Sequence, residues 1–115
     1  MKLSAVRDLL DASPQNEYCQ TDCEVYKACA ADLLSDVLSA KNASTILLTG
    51  LIHEQVIRTA EMLDMSAVIL VRGKSPSAAM VAMAEEAGLP LFVTKYDMYT
   101  SVGRLYQAGL RSLEE

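Results

Sequence analysis

Between Thr45 and Leu110 the polar and apolar positions fall into a block pattern that repeats three times. A short uncharged apolar run is followed by a polar or glycine-containing loop and then by a segment with helical periodicity. The runs are Thr45-Ile46-Leu47-Leu48-Thr49, Ala67-Val68-Ile69-Leu70-Val71 and Pro90-Leu91-Phe92-Val93-Thr94. Runs this short, continuous and rich in β-branched and aliphatic side chains predict strands buried on both faces. The segments between them predict helices: His53 to Leu63 with Val56, Ile57, Ala60 and Leu63 inward, a helix capped by Ser75 with Pro76 at its first position, and one capped by Asp97. Met80, Met83, Ala84 and Ala87 form the stripe of the second, closed by Gly88. Met98, Val102, Leu105 and Tyr106 form that of the third, stopped by Gly109. Three strand-to-helix steps in succession predict parallel strands joined by right-handed crossovers. The expected fold class is therefore α/β, a three-layer sandwich with a mostly parallel central sheet.

The first 44 residues are read as support for this unit. Ser4 is placed to cap a helix to Leu10, with Leu3, Val6 and Leu10 on one face. Asp11 to Asp22 has neither period and reads as loop, with a weak strand around Glu17 to Gln20. Glu24 to Ala30 predicts an edge strand on which Lys27 discourages further pairing. A helix from Asp32 to Lys41-Asn42 follows, striped by Leu33, Leu34, Val37 and Leu38.

Composition narrows the function classes. At 115 residues the chain reads as one domain over 1–115, long enough to build a core without metal or disulfide support. Ten basic residues against 15 acidic ones give a net charge of -5, with no basic cluster to neutralise a run of phosphates, so nucleic acid is an unexpected partner. No stretch has the length of a membrane span, and the N-terminal segment does not resemble a signal peptide; a cytoplasmic protein is expected. Cys19, Cys23 and Cys29 are an odd number, which fits a reducing compartment. Their spacing lacks the paired C-x2-C of zinc ribbons and the four thiolates of a usual iron-sulfur site, so neither metal nor cofactor is expected.

Candidate chemistry follows from the predicted topology. Open parallel sheets bind ligands outside the carboxyl ends of their strands, beside helix N-termini. The residues there are Thr49, Gly50, Leu51, Ile52 and His53, then Arg72, Gly73, Lys74 and Ser75, then Thr94, Lys95 and Asp97. Arg72 and Lys74 can hold a phosphate or carboxylate with Ser75, Ser77 and Thr94 as hydroxyl donors. The competing reading is that these are solvated loop side chains. His53-Glu54 lacks the second histidine of a zinc-protease helix, because position 57 is Ile. There is no dinucleotide-binding glycine fingerprint and no phosphate-loop lysine motif, and no acid, base and nucleophile can be assembled, so an enzyme is not expected.

At Leu48-Thr49-Gly50 through Arg58-Thr59-Ala60, then Val71 to Ser77, Gly88-Leu89-Pro90 and Thr94-Lys95-Tyr96-Asp97, the chain resembles a DRTGG domain. Such domains accompany CBS domains in regulatory pyrophosphatases and occur in some phosphotransacetylases, and their fold is similar to the N-terminal domain of HPr serine kinase. The resemblance implies a non-catalytic regulatory or protein-interaction module, often a homodimer. Stand-alone versions are similar to small proteins encoded among iron-hydrogenase genes, which implies a hydrogenase or metabolic-enzyme partner. The alternative is a sensor for a nucleotide or phosphorylated metabolite at the strand ends. Two departures stand out: Leu51-Ile52-His53 replaces the family's Gly-Asp-Arg, and Arg72-Gly73-Lys74 replaces Thr-Gly-Gly. Leu51 and Ile52, aliphatics in a loop, are expected to form a contact surface.

Overall fold

The structure, a computed structural model, describes residues 1–33, 35 and 44–113. Among these, the elements in chain order are α1 (Leu3–Leu10), β1 (Ser13–Pro14), a 3-10 turn (Glu17–Gln20), β2 (Lys27–Ala30), β3 (Thr45–Thr49), α2 (Glu54–Met62), β4 (Ala67–Leu70), α3 (Ala78–Ala87), β5 (Leu91–Val93), α4 (Met98–Gln107) and β6 (Arg111–Ser112). The strands form one sheet in the order β1-β5-β4-β3-β2-β6. All neighbours are parallel except β1 and β5, whose pairing is antiparallel. The expected α/β sandwich with a mostly parallel sheet is therefore the fold.

The three apolar runs occupy adjacent places in the sheet because each needs cover on both faces. Registers Ala30↔Leu48, Leu48↔Ile69 and Ile69↔Phe92 set one row of side chains across four strands, and Cys29↔Leu47, Leu47↔Val68 and Val68↔Leu91 set the other. Leu48, Ile69 and Phe92 of the first row belong to a core closed by Leu3, Val6 and Leu10 of α1 and Leu105 of α4. The second belongs to a core closed by Val56, Ile57 and Ala60 of α2 and Met80 and Ala84 of α3. Phe92, the chain's single phenylalanine, is among the largest fully buried side chains.

Several local expectations are corrected. Glu17–Gln20 is a 3-10 turn rather than a strand, and Cys19 within it donates its thiol to the Leu91 carbonyl at 3.1 Å. Lys27 does not end the sheet, because β6 pairs beyond it through Lys27↔Arg111 and Ala28↔Ser112. Both β6 and β1 escaped detection because two-residue strands carry no periodicity. Ser4 does not cap α1; it lies inside the helix, and its N–H donates to the Asp22 carboxylate at 3.0 Å. Ser75 and Pro76 precede their helix, and Ser77 is the cap, accepting from the Met80 N–H at 3.1 Å. Asp32 sits in a bend rather than a helix, and the stripe expected at Leu34, Val37 and Leu38 lies outside the described residues. On α4 only Leu105 and Ser101 are buried, whereas Val102 and Tyr106 of the expected inward stripe are exposed.

The cysteines are separated by the sheet. Cys19 and Cys23 belong to the α1/α4 side and Cys29 to the α2/α3 side, so the three cannot share one metal. Among the described residues no group of three metal-ligating side chains is assembled, and no helix is long and apolar enough to cross a membrane.

Two stability predictions follow from this packing. Ser77→Ala should cost about 1 kcal/mol, while Ser75→Ala should change little, as read by denaturant unfolding. Equal costs would return the cap to Ser75. Phe92→Ala should cost about 3–5 kcal/mol in the same measurement, because it empties the centre of one core.

Candidate functional site

Thr49 and Thr94 close the carboxyl ends of β3 and β5 in the same way. Each buried hydroxyl accepts the N–H two residues on and donates to a different element. Thr49 Oγ1 accepts from Leu51 N at 3.1 Å and donates to Asp32 Oδ1 at 3.2 Å. Thr94 Oγ1 accepts from Tyr96 N at 3.3 Å and donates to the Leu10 carbonyl at 2.6 Å. The first pins the chain after β2 to the end of β3, and the second pins the end of α1 to β5. Both strand ends are thereby satisfied without solvent.

Asp32 is the residue that the sequence reading missed at this site. Its carboxylate also accepts the Gly50 N–H at 2.7 Å, while Lys74 Nζ crosses from the next loop to the Gly50 carbonyl at 2.9 Å. An incoming phosphate at Thr49-Gly50 would find the donors engaged and a carboxylate in its way. At the β3 end these donors are thus engaged within the fold. No local motif marks Asp32, because its partners lie 17 and 18 positions away in sequence.

Beyond β4 the chain turns sharply. Arg72 and Gly73 both hold left-handed backbone conformations, with φ of 66° and 65°. Arg72 pays for this with about a kcal/mol of steric strain that Gly73 is spared. Two backbone bonds hold the pair against the following loop, Arg72 N to Tyr96 O at 2.8 Å and Gly73 N to Thr94 O at 2.7 Å. The turn sends the Arg72 side chain to the α4 side, where Arg72, Asp97, Met98, Tyr99 and Val102 line a wide hollow of about 420 Å³. Arg104 stacks over the Tyr96 ring at 4.3 Å.

Of the remaining expected site residues, His53 and Asp97 have structural work. His53 caps α2, its Nδ1 accepting from Gln55 N at 3.0 Å. Asp97 caps α4, accepting from Thr100 N at 2.8 Å. This hydrogen bond first, with the Arg72 charge as a smaller contribution, holds the Asp97 carboxyl below the usual aspartate range. Ser75 and Lys95 are exposed. Leu51 and Ile52, expected as a contact surface, are only half exposed and pack against the α2/α3 core. The loop turns them inward because that core leaves apolar surface to cover.

Comparison with known proteins places this architecture. Residues 28–108 match the DRTGG domain. The chain belongs to the DRTGG domain family. Among solved structures it is similar to the CBS and DRTGG domains of the regulatory region of Clostridium perfringens pyrophosphatase, a structure complexed with the activator diadenosine tetraphosphate, with a TM-score of 0.77 and 20% identity. That match covers 92% of this chain and 46% of the other, so the chain spans less than half the length of the protein it resembles. No curated protein matches it. As a DRTGG domain the chain gives its departures definite jobs: His53 caps, Leu51 and Ile52 pack, and Lys74 ties two strand ends together.

Asp22 and Asp97 predict the acid limb of the stability curve. Each is held below the ordinary aspartate range chiefly by a backbone N–H, from Ser4 and from Thr100. Stability gained from a depressed carboxyl is present above the unfolded value, roughly 3.9, and is lost as pH falls through the lower folded value. Asp22→Asn and Asp97→Asn, which keep an acceptor oxygen but do not titrate, should flatten the fall of the unfolding midpoint as pH drops below roughly 3.9. An unchanged acid limb in the double variant would assign it to other groups.

Proposed function

We propose that this DRTGG domain is a non-catalytic regulatory module that acts by protein contact, and that its contact face is the outer side of α4. The observation that carries this reading is the exposure of Tyr99, Val102 and Tyr106, at 89%, 37% and 48%, on one face of one helix, whereas the other exposed large apolar side chains, Tyr26, Leu33 and Met62, lie singly on different segments. Beside them a cavity of about 210 Å³ is floored by Ala28, Ala30, Leu48, Leu105 and Leu110. Arg111 lies over the Tyr106 ring at 4.0 Å. Exposed tyrosine and arginine around an apolar hollow have the composition of interface hot spots. Leu51 and Ile52, being half buried in the α2/α3 core, are less suited to this task. A second copy of the chain and a hydrogenase-type or metabolic enzyme are the partners that the family resemblance implies.

A second reading, a small-ligand sensor, is supported by the nucleotide activator in the similar pyrophosphatase structure and by the exposed Arg72. The strand-end donors Thr49, Gly50 and Thr94 give it little support, because they are engaged within the fold. Neither reading gives the chain a reaction of its own.

The contact reading is tested by Val102→Asp and Tyr106→Asp, both at exposed positions. Self-association by sedimentation, or retention of a defined partner by the immobilised domain, should weaken at least tenfold with the thermal midpoint unchanged, about 1.4 kcal/mol of contact energy. Unchanged association and retention in both variants would remove α4 from the interface.

A further inference from the structure

Once the fold has taken its share of the polar groups near the strand ends, Ser75 and Lys95 stay in solvent, and Arg72, Asp97 and Tyr99 come together in one place. Thr49, Thr94, Asp32, Lys74, His53 and Ser77 each spend a side-chain atom on holding a strand end or a helix start. The Arg72 guanidinium, among the described residues, makes no hydrogen bond or ion pair. Asp97 spends one carboxylate oxygen, Oδ1, on the Thr100 N–H and leaves the other. Tyr99 holds its ring almost wholly in water, at 89% exposure. These three line the same hollow, over an apolar floor of Met98 and Val102.

We infer that this hollow binds a nucleoside monophosphate, with the base against Tyr99 and Met98, a ribose hydroxyl donating to Asp97, and the phosphate held by Arg72. Each part follows from the chemistry of its group. An exposed tyrosine ring offers a stacking face to a heteroaromatic base, and a methionine adapts to its edge. A carboxylate kept ionised by its helix bond is an acceptor for a hydroxyl and a poor neighbour for a phosphate, so it sorts the sugar from the anion. A guanidinium takes phosphate through paired N–H donors. The volume, about 420 Å³, lies in the range of small-molecule sites, which run from roughly 300 to 1,000 Å³. The left-handed backbone at Arg72, braced by the Tyr96 and Thr94 carbonyls, fixes where the guanidinium starts from. The site lies on the α4 side of the strand ends, away from the Thr49-Gly50 loop that Asp32 closes.

This inference rests on the sensor reading, keeps Arg72 and Asp97 of the strand-end loops, and adds Met98, Tyr99 and Val102 of α4. Its test is a titration of the full chain with AMP, followed by amide and side-chain NMR shifts, with adenosine and inorganic phosphate as separate probes. Saturable shifts at Arg72, Asp97 and Tyr99 are expected. Arg72→Ala and Tyr99→Ala should each weaken AMP at least tenfold without moving the thermal midpoint, and both adenosine and phosphate should bind more weakly than AMP. Arg72→Lys, which keeps the charge but loses the fork, should fall between. AMP shifts centred on Lys74, Ser75 and Gly50 would overturn this site while leaving a sensor. Phosphate binding as tightly as AMP would overturn the base contact, and no shift at millimolar AMP would overturn both the site and the sensor reading. Tyr106→Asp should leave AMP binding unchanged, which separates this site from the protein-contact face.

Discussion

A parallel sheet covered on both faces has no cheap place for an unsatisfied polar group, and this requirement governs the molecule. β3 and β4 are buried along their whole length, so the backbone must change direction where the apolar cover ends. Thr49 and Thr94 make that change possible by carrying polar groups into the buried boundary already paired. Removing such a hydroxyl leaves a buried carbonyl or N–H without its partner, which costs more than the bond itself contributes. The helices around the sheet then meet a rigid rim rather than a set of loose loops.

The same economy limits the chemistry available at the rim. Strand ends in open α/β sheets are good anion sites when their N–H groups face outward. Here Asp32 turns one of them to internal use, and its carboxylate supplies the negative charge that a ligand would have brought. Lys74, which on its own looks like a phosphate ligand, reaches back to a carbonyl of the neighbouring strand end. Toward α4, Arg72, Tyr99, Val102 and Tyr106 face solvent, as do Ser75 and Lys95 along the rim.

The contact face and the nucleotide site that we propose share Val102 and adjoin along one helix. A ligand at the first turn of α4 would alter the surface that a protein partner meets two turns later. Coupling between two such sites needs no long-range rearrangement, only a difference in ligand affinity between the bare and the covered helix.

The chain by itself determined the sheet. Continuous five-residue runs of Ile, Leu and Val can be satisfied only by burial on both faces, and the order of strand and helix leaves one handed way to connect them. Gly88 was legible as a helix stop for a similar local reason, its φ of 66° being one that side-chain-bearing residues rarely adopt. The roles of the polar residues at the rim were decided only by tertiary structure. Lys74 and Thr94 read as candidate ligands and Asp32 as a helix start, because hydrogen-bond partners 24, 84 and 18 positions distant leave no trace in local spacing. Val102 and Tyr106 carry the period of a buried face and yet stand in solvent. Periodicity states that a helix has an apolar side; how much of that side is covered depends on what the sheet, α1 and any partner bring against it.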